Sequence, residues 1–248
     1  MKTRLWPLFF VCALRLSGQT EAPARPLVPL DRSSSPIARG TVSKEELRIP
    51  QRAIEELRRS QRDYWSGNVR SSVRHLENAV KLYPNYLEAH NNLGAQYIEL
   101  QEYEKAIVEF HNAIQIDGRV VQPFNNLSVA LFKLHRYPEA EAAARQALAL
   151  DATNSIARYV LGCTLTTENR NPAEALEMLR ATKNVFPESR LVIAKILLRQ
   201  SATEDAKREL QEYLAMPGIE KRAKAEGWLA QLTRGPGAMK STQRSDGP

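Results

Sequence analysis

The sequence predicts an all-α protein built from repeated pairs of helices. Its central stretch, Leu87–Gly118, reads as two short helices joined by a turn. Small residues stand where the two helices must approach each other, and larger apolar residues fill the gaps beside them. These positions are Leu93, Gly94, Tyr97, Ala106, Phe110 and Ala113. The same pattern returns when the frame is moved by 34 residues in either direction. A single helix pair cannot bury this surface, so the unit needs neighbours and a repeat fold is expected.

Composition places the 248-residue chain among ordinary folded proteins. It is 43% hydrophobic and 25% charged, and Ala and Leu dominate its helical stretches. We find no run of 18 apolar residues, so no transmembrane helix is expected beyond the N-terminus. The formal net charge of +7 is modest and spread along the chain. A nucleic-acid partner is not expected, because such binders cluster their basic residues on one helix or tail.

The N-terminus predicts export. Lys2 and Arg4 form a basic start, and the apolar run Leu5–Leu14 follows. Ten apolar residues are too few to span a bilayer but suit a secretory signal, with cleavage after Gly18 or after Ala24. We therefore predict a signal peptide over residues 1–24 and a location in the periplasm or cell envelope of a bacterium. Contact with a membrane is expected only through a partner.

Two flanking segments are expected to lack regular structure. Residues 25–42 are rich in Pro and Ser and predict a disordered linker that holds the folded part away from the N-terminus. Residues 234–248 have no apolar periodicity and predict a disordered tail. Between them, residues 43–233 predict a repeat solenoid.

Five repeats and a final helix account for this solenoid. Their predicted bounds are 53–86, 87–120, 121–154, 155–189 and 190–217, with a capping helix at 220–233. Proline marks several helix starts: Pro50 as the first residue of a helix, Pro138 in repeat three, and Pro172 after the predicted cap Asn171 in repeat four. The spacing of Ser201 and Glu204 predicts another cap before the last helix of repeat five.

Both ends of the solenoid depart from the common pattern. The first helix of repeat one carries a rotated apolar stripe, and a terminal repeat with one face in solvent explains it. That stripe consists of Ile54, Leu57, Tyr64 and Trp65. At the other end, the capping helix is expected to turn its apolar side toward the open end of the stack. The residues concerned are Ala223, Ala225, Trp228 and Leu229.

No residue pattern predicts catalysis or a metal site. The four histidines, His75, His90, His111 and His135, form no HExxH motif and take different positions in the repeat. Phosphate-binding and nucleophile motifs are absent from the sequence. With Cys12 in the signal, the mature chain would keep one thiol, Cys163, which is expected to be a packing residue. We therefore expect no enzyme activity, no catalytic residue, no cofactor and no small-molecule substrate.

The period and the recurring small and aromatic positions resemble the tetratricopeptide repeat over about residues 51–233. Repeats two to four match best. The resemblance implies helix hairpins that coil into a right-handed superhelix, in which the first helix of each repeat lines a concave groove. It also implies that this groove holds an extended peptide or an amphipathic helix of another protein.

Carried onto this sequence, the resemblance assigns ten positions to the groove. They are Glu88, Asn91, Asn92, Gln122, Asn125, Asn126, Val129, Phe132, Ile156 and Tyr159. The paired asparagines of repeats two and three form a candidate ladder, because each carboxamide can donate to and accept from a peptide backbone. The alternative is that asparagine is simply common at these positions. Val129, Phe132, Ile156 and Tyr159 would supply an apolar anchor.

These observations predict a protein-interaction module, an exported adaptor or assembly scaffold. Two alternatives stay open: a self-associating structural scaffold, and a regulatory subunit of an envelope enzyme complex. The sequence leaves the oligomeric state and the identity of the partner open.

Overall fold

The computed structural model describes residues 49–233, and this part of the chain contains eleven α-helices and no β-strand. The predicted signal peptide, linker and C-terminal tail lie outside the described residues. The helices are α1 (Gln51–Trp65), α2 (Val69–Leu82), α3 (Leu87–Glu99), α4 (Tyr103–Ile116), α5 (Val121–Lys133), α6 (Tyr137–Leu150), α7 (Ser155–Thr167), α8 (Pro172–Arg180), α9 (Ser189–Arg199), α10 (Thr203–Leu214) and α11 (Arg222–Thr233). The chain divides into two compact units, with the boundary after Ala157. The predicted all-α helical repeat fold is confirmed.

The first unit is a row of helix hairpins. Helices α1 and α2, α3 and α4, and α5 and α6 pack as pairs, and α2 and α4 also contact the first helix of the next pair. Helices α3 and α5, both first helices of their hairpins, contact each other directly. This side-by-side contact places the two Asn-Asn pairs on neighbouring helices.

Small residues allow each hairpin to close. A Cβ built on Gly94 in α3 would lie 2.6 Å from Cε1 of Phe110 in α4, so the ring occupies the space that only glycine leaves open. Ala106 and Ala113, on the same side of α4 as Phe110, are fully buried. The small and aromatic positions expected from the sequence therefore form the hairpin core.

The turn between the two helices of each hairpin holds a residue with positive φ at a corresponding place, and the α7–α8 turn holds a second one, Asn171, with φ of 44°. The residues at the corresponding place are Gly67, Gln101, His135, Asn169 and Ser201, with φ of 82°, 62°, 59°, 54° and 61°. The first four stand at a constant spacing of 34 residues, and the fifth comes two residues early. The repeat therefore extends to backbone conformation, although only the first of these turns carries glycine.

The first hairpin differs from the prediction at its apolar stripe. Leu57 and Tyr64 are buried as expected, but Trp65 is 56% exposed and Ile54 is only half-buried. At the closest approach of the helices, Ser72 Oγ donates to the Ser60 carbonyl at 2.7 Å, and the two hydroxyls lie 2.8 Å apart. Trp65, the last residue of α1, stands about 100° around the helix from the buried Tyr64, so the two side chains point in different directions.

The second unit contains most of α7 and helices α8 to α11. Gly162 repeats the role of Gly94, since its Cβ would lie 2.6 Å from Cγ of Leu179. Helix α8 is short and ends at Arg180, where the Thr182 hydroxyl donates to the Leu179 carbonyl at 2.9 Å. Asn171 precedes α8 as expected, but its Nδ2 donates to the Glu174 side chain at 3.0 Å rather than capping the helix backbone.

Two expectations for the C-terminal helices need correction. Ala202, without a side-chain hydrogen bond, stands at the start of α10, and Ser201 adopts the left-handed turn conformation instead of capping it. In α11 only Ala225 is fully buried; Trp228 is half-buried and Ala223 is exposed. The apolar stripe of α11 is therefore narrower than its sequence indicates. None of the helices within residues 49–233 is long and apolar enough to cross a membrane.

Candidate functional site

A hydrogen bond joins the two Asn-Asn pairs across α3 and α5. Asn126 Nδ2 in α5 donates to Asn91 Oδ1 in α3 at 3.0 Å. Successive repeats place these residues 35 positions apart, so the bond is one of the contacts that set α5 beside α3. The predicted ladder is thus corrected in part, because two of its amides, those of Asn91 and Asn126, are already bonded to each other. We call the surface formed by Glu88, Asn91, Asn92, Gln122, Asn125 and Asn126 the α3–α5 face.

The remaining carboxamide atoms of this face differ in their access to solvent. Asn92 and Asn126 are each only 5% exposed, yet the Asn92 carboxamide and the Asn126 oxygen are not enclosed and have no hydrogen-bond partner within residues 49–233. The hydrogen bond from Asn126 occupies the side-chain oxygen of Asn91. The Nδ2 group of the same side chain stays an unused donor. Three asparagines therefore keep unused donors or acceptors at the surface.

Asn125 and Gln96 behave differently, because their unused atoms are enclosed. Asn125 Oδ1 is buried without a partner in the described part of the chain, and so are both carboxamide atoms of Gln96 on α3. An enclosed polar atom cannot reach a ligand unless its surroundings move. Asn125, although predicted as a groove residue, therefore offers less than its neighbours. The sequence did not predict that Gln96 is buried, because a polar side chain is expected at the surface and its burial is set only when the helices pack.

Accessible polar groups border the α3–α5 face. Gln122, in the first turn of α5, is exposed, and Glu88, in the first turn of α3, is half-buried. Burial, and then the negative charge of Glu88, raises the pKa of the Tyr86 hydroxyl, while Arg58 opposes this shift. The α3 end of the face therefore carries a negative charge beside neutral amides.

The predicted apolar anchor is divided between the two units. In the first unit, Val129 and Phe132 on α5 are nearly buried, and the Phe132 ring packs edge-on to Tyr137 with centroids 5.4 Å apart. Ile156, near the end of this unit, is half-buried. The predicted anchor residues of the first unit therefore offer only the edges of their side chains.

Tyr159 lies in the second unit and is 2% exposed. Its ring packs on Phe186 with centroids 4.8 Å apart. The expectation that Tyr159 presents an apolar surface to a partner is therefore corrected: Phe186, after the short helix α8, already covers it. Cys163 in α7 is buried, as a packing residue would be.

Beside the α3–α5 face, His90 joins α3 to α4. Its Nδ1 lies 2.6 Å from Glu109 Oε2, and its Nε2 lies 2.8 Å from the Pro84 carbonyl oxygen. Burial lowers the pKa of His90, but the hydrogen bonds to Glu109 and Pro84 outweigh burial, so the pKa is raised overall. Both ring nitrogens therefore face acceptor oxygens, an arrangement that stabilises the protonated form of the ring. In residues 49–233 no group of three or more His, Cys, Asp and Glu residues is arranged to hold a metal ion.

Comparison with known proteins identifies the class. Two tetratricopeptide repeat family models match the sequence, one at residues 75–108 and one at residues 125–185. The chain is a tetratricopeptide repeat protein. No curated protein sequence matches it significantly.

Solved structures show the same fold at low identity. PilF of Pseudomonas aeruginosa is 21% identical, with 73% of this chain and 84% of that chain covered and a TM-score of 0.62. YrrB, described as a TPR protein with an unusual peptide-binding site, is 19% identical over 71% of this chain and 92% of its own, with a TM-score of 0.58. MamA from Desulfovibrio magneticus RS-1 is 17% identical over 75% and 97%, with a TM-score of 0.57.

Proposed function

We propose that the α3–α5 face binds a peptide segment or helix of another protein, and that the chain acts as an adaptor or assembly scaffold. Tetratricopeptide repeat proteins are generally protein-interaction modules, and repeat proteins use extended faces of this kind for binding. The observation that carries the proposal is the set of unused carboxamide atoms on Asn91, Asn92 and Asn126. YrrB, which shares the fold, is described as having a peptide-binding site.

Backbone recognition follows from the chemistry of these amides. A carboxamide can donate to a peptide carbonyl and accept from a peptide N–H, so amides on adjacent helices suit successive backbone groups of one strand. The bond from Asn126 to Asn91 fixes both side chains before a partner arrives, which lowers the entropic cost of binding. Apolar contacts with the exposed edges of Val129 and Phe132 add to affinity and do not depend on the charge of the partner.

Affinity capture tests this proposal. The chain is used as bait in extract of its own organism, with quantitative mass spectrometry as the readout. The test variant carries Asn92→Ala and Gln122→Ala on the α3–α5 face, and the matched control carries Asn112→Ala and Gln115→Ala on α4. We expect a partner recovered by the wild type and the control but depleted by about tenfold with the test variant. Equal recovery by all three contradicts binding through this face, and recovery of the chain alone indicates self-association instead.

We also propose that the protein is exported to the bacterial cell envelope. The basic start at Lys2 and Arg4 and the apolar run over residues 5–14 support this. N-terminal sequencing of the protein from a fractionated cell tests it. A mature chain in the envelope fraction that begins after Gly18 or Ala24 is the expected result, whereas an intact Met1 in the cytoplasmic fraction contradicts it.

A further inference from the structure

A second concave site lies entirely within the second unit. It is a cleft of about 180 Å³ between the C-terminal end of α7, the turn that leads to α8, and the last turn of α9. Its apolar part is formed by Leu165, Pro172 and Ile196, and its polar part includes Arg170, Arg199 and Gln200. We call it the turn cleft. No residue of the α3–α5 face takes part in it, so it is independent of the function proposed above.

The charge of Arg199 is not neutralised. Its Nη1 donates to the Thr166 carbonyl at 2.8 Å and to Asn169 Oδ1 at 3.2 Å, and both acceptors are uncharged. Arg199 forms no ion pair with a carboxylate within residues 49–233. Several other cations of the second unit are paired with carboxylates, as Lys207 is with Glu204 and Arg208 is with Asp205. The two neutral contacts therefore hold the guanidinium at the cleft and leave its full charge available.

The surroundings add positive potential. Lys195 lies one turn before Arg199 on α9, and its pKa is lowered by burial and then by the charges of Arg199 and Lys224. Arg170, on the opposite wall of the cleft, pairs with Glu168, which is not among the lining residues. Of the described residues, none that lines the cleft carries a carboxylate. An anionic group that enters would thus meet the charge of Arg199 with no carboxylate in the lining itself, while Glu168 remains on Arg170.

We infer that the turn cleft receives an acidic side chain of a partner protein, followed by an apolar residue of the same peptide segment. The planar guanidinium of Arg199 suits a carboxylate, which it can bind through more than one N–H. Pro172 is exposed and Ile196 is 3% exposed above the buried Leu165, so the apolar contact to the neighbouring aliphatic side chain is made mainly by Pro172. Pockets for small molecules have volumes of roughly 300–1,000 Å³, so the turn cleft matches one or two side chains better than a metabolite.

Selection from a random-peptide phage library tests the inference. The full chain is immobilised, and bound phage are sequenced after washing at low salt. We expect enrichment of peptides in which Asp or Glu adjoins Leu, Ile, Val or Met. The most enriched peptide is then synthesised with a fluorescent label and both ends blocked, and its affinity is measured by fluorescence anisotropy. The affinity should fall with added salt, because a charge pair at the surface is screened.

Three variants assign the binding to the turn cleft. Arg199→Gln removes the charge, and we expect about tenfold weaker binding of the labelled peptide. Gln200→Glu introduces a carboxylate into the cleft while keeping the contacts of Arg199 to Thr166 and Asn169, so it weakens binding even if Arg199→Gln disturbs the fold. Arg180→Glu is the matched control, since Arg180 at the end of α8 is exposed, has no carboxylate partner among the described residues and lies outside the cleft.

Each outcome decides the inference. Acidic peptides whose affinity falls in Arg199→Gln and Gln200→Glu but not in Arg180→Glu support it. Enrichment of basic or uncharged peptides, or of none, overturns it. Acidic peptides that bind Gln200→Glu as tightly as the wild type overturn it as well, because their site then lies elsewhere. Loss of binding in Arg180→Glu to the same extent indicates only a general effect of net charge and also overturns it.

Discussion

The ring of Phe110 lies directly over the backbone of Gly94, at a distance that leaves no room for a Cβ atom. This contact joins the two helices of the central hairpin. Gly162 and Leu179 repeat it in the second unit, again with a distance of 2.6 Å to the built Cβ. In both hairpins the glycine is required because it has no side chain where the helices meet. Its backbone is helical, so the conformational freedom of glycine plays no part.

Gly94→Ala should therefore destabilise the protein. The added methyl group must push the Phe110 ring or separate the helices, and overpacking of this kind costs about 1–3 kcal/mol. Urea unfolding of the full chain measures the loss. The matched control is Gly227→Ala in α11, where a Cβ would meet nothing within 4 Å. There alanine should raise stability by about 0.5–1 kcal/mol. A Gly94→Ala variant as stable as the wild type would show that the hairpin is more open than described.

Gln101→Gly should stabilise the turn between α3 and α4. Gln101 has φ of 62°, a conformation that costs an L-residue with a Cβ roughly 1–2 kcal/mol and glycine little. After the greater flexibility of glycine in the unfolded chain is counted, a net gain of about 0.5 kcal/mol is expected. Gln115→Gly, at an exposed position in the last turn of α4, is the control and should lose roughly 0.5 kcal/mol. Losses of similar size in both variants would contradict a left-handed role for Gln101.

His90 should make stability depend on pH. Its pKa is raised in the folded protein above the ordinary value of 6.5, because the bonds to Glu109 and Pro84 outweigh burial. The stabilisation is therefore complete below about pH 6.5, the unfolded-state value, and is lost as pH rises through the raised folded-state pKa. As pH rises from about 6.5 through the raised folded-state pKa, the free energy of unfolding should decrease in the wild type and decrease less in His90→Gln. His111→Gln, at an exposed site on α4, should keep the wild-type profile; identical profiles for all three would contradict the role of His90.

Asn91 and Asn126 should be energetically coupled. Removing either side chain breaks the same 3.0 Å hydrogen bond, so the double variant Asn91→Ala with Asn126→Ala should cost less than the two single losses together. A coupling free energy of about 0.5–1.5 kcal/mol is expected from a double-mutant cycle of unfolding measurements. Asn126→Ala combined with Asn78→Ala on α2 should be additive within about 0.5 kcal/mol. If the losses of Asn91→Ala and Asn126→Ala were fully additive, the hydrogen bond between these residues would not contribute to stability.

Much of the fold could be predicted because its determinants are local. The spacing of Leu93, Gly94 and Tyr97 defines one helix face, and Pro138 and Pro172 limit where helices can begin. Recurrence at the repeat period then predicts packed hairpins without any knowledge of distance. The candidate site was less accessible to this reasoning. A groove position inferred from a repeat says which way a side chain points, but not what already lies against it.

The sequence by itself determined the all-α repeat, the hairpin contacts and the helix breaks, because helix periodicity, small-residue positions and proline act over a few residues along the chain. Only the tertiary structure decided that Asn126 bonds to Asn91, that Phe186 covers Tyr159, and that Arg199 faces a cleft without a carboxylate partner among the described residues. Burial and hydrogen-bond pairing depend on distances between residues far apart in sequence. These distances are set only when the helices pack.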